Sequence, residues 1–437
     1  MSSESSDDII SSAMPTPATL QPRRRCPKVD RATDQRTPWA RTSWEGHLEA
    51  KVRENSWYSY YHMPIDKFDK LHGLLFRESQ QEKDLAKIRG QSSTRMGPID
   101  TRVKLASTLR ILFGEKQKSM VDVFKISECS AHTALFNVID RINACPELDG
   151  NVFNADHTIP TLEKRAGDFA VRSSFPRIMR HCVGAIDGLL IKTQQPEAKE
   201  VGNVRSFYSG HKKGFGLNMQ GVCDSECRFT GFSCNTAGST SDYTAFRHAH
   251  FYGLWPMLPQ PFFYFGDCAY PLSPNLITPY IGTQLSADQD AFNFFHSQLR
   301  ITIERTFGIF VNVFAIFHAP LQCSIANACR IVEACVKLHN YRINEGCQNV
   351  ARRVSTAAVY REAFDRADNV FDVLDDMRFA THRLYASDHA VGQHVAAAEL
   401  FSGLTPSDAA LGANRRAALT DALRIAGATR PAGNALA

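Results

Sequence analysis

The spacing of hydrophobic residues changes along the chain, and a change near residue 175 separates two kinds of predicted structure. Between residues 46 and 150, apolar residues recur three and four positions apart, as in KFDKLHGLLF and RVKLASTLRILFG. This spacing is typical of amphipathic helices. We therefore predict a helical domain over residues 46–150. The preceding residues 1–45 are rich in Ser, Pro, Thr and charge and are predicted to form a disordered arm.

Within the helical region, residues 118–142 predict two short helices joined by a tight turn. Ser127 is the expected N-cap of the second helix. The buried stripe of that helix is predicted to be Leu135, Val138 and Ile142. The pattern has two interpretations, a DNA-binding helix-turn-helix or a helical hairpin that only packs the domain. The positions expected to be exposed, Glu128, Ser130 and His132, include no Lys or Arg, which counts against DNA reading by this helix.

After residue 175 the pattern becomes that of strands alternating with helices. Strands are predicted in HCVGAIDGLLIKT, on both sides of the turn in FGLNMQGVCDSECRFTGFSC, and in PFFYFGD. Helices are predicted in SDYTAFRHAHFYG, with Ser241 or Asp242 as N-cap, and from about residue 287 to 310. The order of these elements is that of an RNase H-like nuclease core. We therefore predict an α/β fold, with an RNase H-like mixed sheet over residues 175–342 behind the helical N-terminal domain.

Residues 343–437 are predicted to contain one more helical stretch around ATHRLYA, followed by an alanine-rich, low-complexity tail.

The formal net charge is only +5, and residues 23–41 hold seven Lys and Arg against two Asp. Basic charge is thus local, which favours an arm that meets phosphate or directs nuclear import. The twelve cysteines form no CxxC pair and the first ten residues are acidic, so reduced thiols inside the cell are expected, without structural zinc. Polar residues interrupt the apolar stretch 306–329, so no membrane span is expected.

Three acidic residues stand out against these elements. Asp187 ends the apolar run VGAIDG, Asp267 follows PFFYFG, and Glu304 lies in the predicted long helix. Buried carboxylates that are brought together repel one another unless cations hold them. Two divalent ions held by such carboxylates could activate an attacking oxygen and stabilise a leaving oxygen in phosphodiester cleavage. Their preference for oxygen ligands predicts two Mg²⁺ or Mn²⁺ ions as cofactors.

Other residues near these acids have competing structural explanations. His296, Arg300 and Glu304 recur every four residues, so Arg300 and His296 could orient Glu304 or contact a DNA phosphate. Asp242 follows a Gly-Ser-Thr-Ser turn, where helix capping explains an acid, and we interpret it as a structural or supporting residue. Tyr270 is expected to shape the loop after Asp267, with base stacking as the weaker alternative.

Five sequence blocks in order resemble the DDE endonucleases of PIF/Harbinger-type transposons and their domesticated relatives. The blocks are AIDGLLI, LNMQGVCD, GSTSD, GDCAYPL and RITIERTFG, and the later LHN is a further shared feature. The resemblance implies that Asp187, Asp267 and Glu304 form the catalytic, metal-binding triad. Leu189 and Leu190 stand where the family usually has Thr-His, and Ala269 replaces a usual Gly. Neither departure removes a ligand, although both could alter contacts to substrate.

The resemblance implies a nuclear, metal-dependent DNA endonuclease of the Harbinger transposase class that cleaves, and could join, DNA strands. Its implied partners are double-stranded DNA, as transposon ends and target, and a Myb-like DNA-binding protein. The protein could also associate with further copies of itself as a homo-oligomer. Two alternatives stay open: a domesticated, catalytically silent DNA- or protein-binding module, and a nuclease of structured RNA. These alternatives share the fold and differ in catalysis or in substrate.

Overall fold

The structure is a computed structural model, and it describes residues 40–77, 98–149, 158–347 and 406–431. The helices before the sheet are α1 (Trp44–Arg53), α2 (Trp57–Tyr61), α3 (Ile65–Leu75), α4 (Thr101–Leu112), α5 (Ser119–Phe124), α6 (Glu128–Asn143), α7 (Pro146–Asp149) and α8 (Ile159–Ala170). Residues 1–39 of the predicted arm lie outside the described residues. Helix α1 begins at Trp44, within the last two residues assigned to the arm.

The sheet region and the C-terminal segment supply the remaining elements. The strands are β1 (Cys182–Lys192), β2 (Tyr208–Ser209), β3 (Gly214–Cys223), β4 (Phe229–Ala237), β5 (Phe263–Phe265) and β6 (Leu276–Ile277). The helices are α9 (Ala198–Val201), α10 (Asp242–Arg247), α11 (Ala287–Val313), α12 (Ile325–Asn344) and α13 (Pro406–Ile425).

Aromatic side chains form the core of the N-terminal helices. The Trp44 ring stacks on Phe68 at 5.1 Å, and Trp57 packs against Tyr61 at 4.4 Å. The Tyr61 hydroxyl and His47 Nε2 are 2.7 Å apart, which gives both buried polar groups a partner. The helical spacing of these residues places them on the faces that meet, so the periodicity of the sequence explains this core.

The predicted helix pair at residues 118–142 is present as α5 and α6. The Ser127 hydroxyl accepts a hydrogen bond from the Ser130 N–H, which confirms Ser127 as the N-cap. The predicted stripe of α6, made of Leu135, Val138 and Ile142, is buried. Helix α6 packs against α4 and α12. The pair thus contributes to packing, and the same geometry is compatible with the helix-turn-helix interpretation.

The sheet has the strand order β4-β3-β1-β5-β6, and β2 pairs with the start of β3. Strand β1 is antiparallel to β3 and parallel to β5, and β5 is parallel to β6. Three antiparallel strands followed by parallel ones beyond β1 give the RNase H-like α/β core that the element order predicts. The strand β1 at its centre carries Asp187.

Helices cover both faces of the sheet. Helix α11 begins with a capping box between Ser286 and Gln289, which satisfies backbone N–H groups at its first turn. Its buried side chains, among them Phe292, Ile303 and Phe307, belong to the large core shared with the N-terminal helices. Residues of α8 and α10 form a second, smaller core on other residues of β1, β3 and β5. The sheet therefore holds α11 in a fixed position relative to β1.

Strand β1 spans Cys182–Lys192, as the run HCVGAIDGLLIKT predicts, and residues 188–192 keep their pairing with β3. Asp187 therefore lies within the strand. The long helix extends beyond residue 310 to Val313. The helical prediction around residues 381–387 lies outside the described residues.

The alanine-rich end contains helix α13, which packs against α11 and β6. Arg415 Nη1 donates to Gln260 Oε1 and to the Pro274 carbonyl, both at 2.6 Å. Arg416 donates to the Pro279 carbonyl at 2.9 Å, and its guanidinium lies 4.1 Å from the centre of the Tyr280 ring. Low sequence complexity therefore concealed a segment that docks on the α/β core.

Helix α12 connects the sheet to the N-terminal helices. Lys337 is buried and forms ion pairs with Asp149 and Glu333. The Tyr341 hydroxyl donates to the Lys67 carbonyl at 2.7 Å, and Arg342 Nε donates to a second backbone carbonyl in the N-terminal region at 3.1 Å. In the part of the chain that the structure describes, no helix is long and apolar enough to cross a membrane.

Candidate active site

Asp187 occupies the middle of β1, opposite Gly221 of β3. Its Oδ1 accepts the N–H of Gly188 at 2.8 Å, which fixes the carboxylate close to the strand backbone. A side chain at residue 221 would collide with Phe307 of α11, so glycine there allows the helix to approach the sheet. Close packing of α11 on the sheet brings helix residues to Asp187.

Asp267 follows β5, the parallel neighbour of β1. Its Oδ1 accepts the Ala269 N–H at 2.9 Å, and its carbonyl accepts the Tyr270 N–H at 3.3 Å. These bonds form a turn in which an aspartate side chain caps the backbone. Parallel pairing with β1 places this turn beside the middle of the central strand.

Arg300 links two of the predicted site carboxylates. Its Nη1 lies 3.0 Å from Asp187 Oδ2, and its Nη2 forms an ion pair with Glu304 Oε1 one turn later on α11. The Arg300 side chain is 10% exposed. A charged guanidinium in so enclosed a place needs anionic partners, and the two carboxylates provide them.

The electrostatics of the site follow from burial of like charges. Burial raises the pKa of Asp187 to about 8; the Arg300 charge offsets part of this effect, and the charges of Asp267, Asp242 and Glu304 add to it. The pKa of Asp267 is raised by the same causes. Burial alone would lower the pKa of Arg300, but the carboxylates of Asp187, Glu304 and Asp267 outweigh it and raise that pKa. The four carboxylates and Arg300 therefore form one coupled cluster.

Asp242 belongs to this cluster and is not the N-cap of its helix. Ser241 caps α10, since its hydroxyl accepts the Thr244 N–H. Asp242 Oδ1 instead accepts hydrogen bonds from Asn218 Nδ2 at 2.9 Å and from Gln220 Nε2 at 3.1 Å. A Cβ at residue 188 would collide with Asp242 Oδ1, so glycine beside Asp187 makes room for this carboxylate.

Tyr270 supports the same network from the opposite loop. Its hydroxyl donates to Gln220 Oε1 at 2.6 Å, and burial raises its pKa well above the usual value. The ring is 4% exposed. The buried ring of Tyr270 therefore presents no accessible face on which a base could stack. The contact with Gln220 supports the expectation that Tyr270 shapes the loop.

His296 is placed differently from Arg300, although both lie on α11. Its Nε2 lies 3.3 Å from the Ile277 carbonyl, and its ring packs against Phe265 at 4.4 Å. Burial lowers its pKa to about 3. The side chain is a neutral part of the core under β5 and β6. The expectation that His296 orients Glu304 or holds phosphate is therefore wrong for this structure.

Asn218 and Gln220 are two site residues that the sequence analysis did not single out. Both are buried on β3, and Gln220 Nε2 also donates to Asn218 Oδ1 at 2.8 Å. Together they join Asp242 and Tyr270 to the central strands. The signal was available, because two amides two positions apart in an otherwise apolar strand point to the same face and need polar partners.

The donors at this cluster are carboxylate oxygens, the ligand type that Mg²⁺ and Mn²⁺ prefer. Within residues 40–77, 98–149, 158–347 and 406–431, no three His, Cys, Asp or Glu side chains come close enough together to hold a metal ion. Between Asp187 and Glu304 the positive charge is supplied by Arg300. The chemistry of the donors thus fits a divalent cation, and Arg300 lies where it would compete with one.

Comparison with known proteins agrees with this architecture. Residues 186–340 match the family described as DDE superfamily endonuclease. The Protein ALP1-like of Arabidopsis thaliana is 26% identical over 191 residues, which cover 40% of this chain and 46% of that protein. The chain thus spans less than half the length of this relative. No solved structure matches the chain. The matched segment contains all four carboxylates and Arg300.

Proposed function

We propose that the protein is a metal-dependent DNA endonuclease of the Harbinger transposase class. The observation that carries the proposal is the convergence of Asp187, Asp267 and Glu304 on Arg300, within the segment that matches the endonuclease family. Asp187 and Glu304 each pair with the guanidinium. Asp267, which follows the neighbouring strand β5, attracts the same guanidinium electrostatically and raises its pKa. These are the three positions to which the five sequence blocks assign the catalytic triad.

Each residue of the cluster has a proposed task. Asp187 would hold two Mg²⁺ or Mn²⁺ ions from the central strand, with Asp267 completing one site and Glu304 the other. When bound, the ions would activate the attacking oxygen and stabilise the leaving oxygen of the phosphodiester. Asp242, Asn218 and Gln220 would hold the β1–β3 surface in place around Asp187. Arg300 would have to leave Asp187 or Glu304 as these carboxylates take up cations.

The proposed substrate is double-stranded DNA at transposon ends and at a target site, in the nucleus. Water would attack the phosphorus at the transposon end and break its bond to the 3′ oxygen, which leaves as a 3′ hydroxyl. That hydroxyl could then attack a target phosphorus in line and displace a 3′ hydroxyl of the target strand. A separate Myb-like protein would supply sequence recognition, in keeping with the scarcity of Lys and Arg at the start of α6. These assignments rest on the resemblance to the Harbinger class and on the family match.

One observation favours a second candidate, a catalytically silent module that binds DNA or protein. Arg300 already pairs with both Asp187 and Glu304 from within the chain. A silent relative would keep this arrangement as its permanent state. The two candidates differ in whether added metal displaces Arg300 and produces cleavage.

The test is nicking of transposon-end DNA in Mg²⁺ or Mn²⁺, with and without the Myb-like partner. Asp187→Asn, Asp267→Asn and Glu304→Gln should each abolish nicking and retain DNA binding, because each keeps side-chain shape but loses a metal-binding charge. Asp242→Asn should be milder, since its remaining oxygen can still accept from Asn218 and Gln220. Asp288→Asn, at a partly exposed carboxylate at the start of α11, is the matched control and should cleave normally.

Two outcomes would contradict the proposal in different ways. Wild-type protein that cleaves nothing with metal and partner present would establish the silent module. Loss of nicking in Asp242→Asn as complete as in the other three variants would make Asp242 a metal-binding carboxylate, which would overturn the assignment of the triad.

A further inference from the structure

A group of basic side chains lies on the β2–β3 hairpin and the 3₁₀ turn before it. The group consists of Arg205, Lys212 and Lys213, with the aromatic residue Tyr208 among them, and is called the hairpin patch below. All four residues are exposed, and Tyr208 is 42% exposed while its ring contacts Phe215 at 5.2 Å. Among the described residues, no carboxylate forms an ion pair with any of the three basic side chains.

The hairpin patch is physically connected to the acidic cluster. The loop that leads into Asp242 packs on the same segment, because the Ser239 N–H donates to the Ser206 carbonyl and the Gly238 N–H donates to the Gly216 carbonyl, both at 2.9 Å. A Cβ at residue 238 would lie 2.8 Å from the carbonyls of Gly216 and Phe207. The loop therefore has little freedom to move relative to the patch, and the two form parts of one surface.

Strand β3 sets the distance between the patch and the cluster. Gln220 contacts Asp242, and the strand begins six residues earlier at Gly214, directly after Lys213. A strand advances roughly 3.3 Å per residue, so the separation is on the order of 20 Å. Duplex DNA advances roughly 3.4 Å per base pair, and the same distance is therefore about six base pairs.

At the opposite end of β3, carboxylates pair with basic side chains in and beside the β3–β4 turn. In the β3–β4 turn, Arg228 forms ion pairs with Asp224 and Glu226. Lys164, whose electrostatic neighbours include Glu226 and Arg228, pairs with Asp168 at 2.7 Å. Within the described residues, Arg228 and Lys164 thus have carboxylate partners that the basic side chains of the hairpin patch lack.

Lys213 adds an independent observation, because its backbone has a φ of +48°. This left-handed conformation is uncommon for a residue with a side chain and carries a conformational cost that glycine avoids. The chain nevertheless has lysine here, although glycine follows immediately at residue 214. Residues held in such conformations cluster at functional sites.

We propose that the hairpin patch binds the phosphate backbone of duplex DNA about six base pairs from the phosphate that is cleaved. The inference rests on the proposed DNA endonuclease function and identifies the surface that holds the flanking duplex. Arg205, Lys212 and Lys213 contact phosphates, and Tyr208 packs against the sugar-phosphate backbone. The contact is independent of sequence because it reads charge and spacing only.

The test is binding of the full chain to a fluorescent 30-base-pair duplex of random sequence, without divalent metal, across a series of salt concentrations. Lys213→Gly removes one charge and should not lower the melting temperature appreciably, because glycine readily adopts the observed φ. An Arg205→Gln, Lys212→Gln double variant removes two more charges. Each lost phosphate contact should reduce the slope of log affinity against log salt by about 0.9. Lys164→Gln, at the other end of β3, is the control and should leave the slope unchanged.

A slope that is the same in wild type and in the patch variants would overturn the inference, as would an equal change in Lys164→Gln. In a separate series, transposon-end duplexes that stop fewer than about six base pairs from the cleavage position on one side should bind wild type and Lys213→Gly equally. The inference and the proposed function fail separately. A patch-dependent slope without any nicking supports the patch on a silent module, whereas nicking with an unchanged slope removes only the patch.

Discussion

Arg300 Nη1 lies 3.0 Å from Asp187 Oδ2, so the central carboxylate of the site already has a cationic partner within the chain. The same guanidinium pairs with Glu304. The single positive charge of Arg300 balances the three carboxylates only in part. Burial and the neighbouring acids therefore still raise the pKa of Asp187. The site therefore retains a deficit of positive charge within the chain.

Replacing Arg300 should separate its two effects, on folding and on metal binding. Arg300→Gln should lower the melting temperature in EDTA, because breaking a buried ion pair from one side costs about 3–5 kcal/mol, and the cost is smaller here because the raised pKa already leaves Asp187 largely protonated. The same variant should gain more stability from Mg²⁺ or Mn²⁺ than wild type, since no guanidinium competes for Asp187 and Glu304. Thermal unfolding over a metal titration measures both.

Arg305→Gln is the matched control, because Arg305 is the exposed neighbour of Glu304 on the same helix. It should alter neither the EDTA melting temperature nor the metal-induced shift. A metal-induced shift that is smaller in Arg300→Gln than in wild type would show that Arg300 assists metal binding and does not compete with it.

The raised pKa of Asp187 predicts a specific pH dependence of stability. In the folded chain Asp187 keeps its proton up to about pH 8, whereas its ordinary value is 3.8. Between these values the folded state binds more protons than the unfolded state, so the free energy of unfolding should fall as pH rises, by up to about 1.4 kcal/mol per pH unit. Asp187→Asn cannot titrate and should flatten the profile from pH 4 to pH 8.

The measurement is urea unfolding of metal-free wild type, Asp187→Asn and the control Asp288→Asn across this range. Asp267 shifts in the same direction, so some slope should remain in Asp187→Asn. Profiles that superimpose for wild type and Asp187→Asn would mean that the Arg300 pair keeps Asp187 ionised in the folded state. Metal binding should strengthen as pH rises, because the proton must leave the carboxylate first.

Much of the fold followed from the sequence because its signals are local. The three antiparallel strands, the buried run at β5 and the long helix α11 each have the periodicity of their element. The extent of β1 was predictable in the same way, because apolar residues resume at Leu189 after Asp187 and Gly188, and pairing with β3 continues through them.

The site residues that lie in recognisable sequence blocks could be predicted. The surroundings of a residue could not be predicted where they depend on contacts with distant parts of the chain. Asp187, Asp267 and Glu304 could be selected because they follow recognisable blocks. Helical spacing placed His296 on the face of Arg300, yet eight residues of helix separate it from Glu304, and its ring meets the Ile277 carbonyl in the core. Spacing specifies a face of a helix but not the depth to which each residue is buried.

Docking of α13 gives a prediction about the C-terminal segment. Arg415→Ala removes two hydrogen bonds and a guanidinium that lies 4.6 Å from the Phe263 ring of β5. The free energy of unfolding should fall by about 1–3 kcal/mol, since the exposed Gln260 amide and the half-buried Pro274 carbonyl both lose a charged donor. Urea unfolding measures the change. Arg424→Gln, at a half-exposed residue of the same helix, should cost under about 1 kcal/mol. Equal stabilities of Arg415→Ala and wild type would mean that α13 does not stabilise the core.

The two interpretations of α5 and α6 lead to opposite results for acidic substitutions at the start of α6. Ser130 is the third residue of the helix, and its N–H already bonds to the Ser127 hydroxyl. Glu at this position completes a capping box, so Ser130→Glu should keep or raise the melting temperature. His132 is exposed, and His132→Glu should change stability by less than about 0.5 kcal/mol. If this helix enters DNA, both variants should nevertheless lose DNA affinity, because the new charge faces phosphate.

Fluorescence anisotropy with duplex DNA, paired with thermal unfolding, measures the two properties on the same samples. Asn137→Glu provides the control, since residue 137 is exposed two turns beyond Ser130 on nearly the same face of the helix. We expect weaker DNA binding for the two variants at the helix start and unchanged binding for Asn137→Glu. Unchanged DNA affinity in all three variants would assign α5 and α6 to packing alone. In that case the contacts of α6 with α4 and α12 are its whole role, and DNA must be held by other surfaces of the chain.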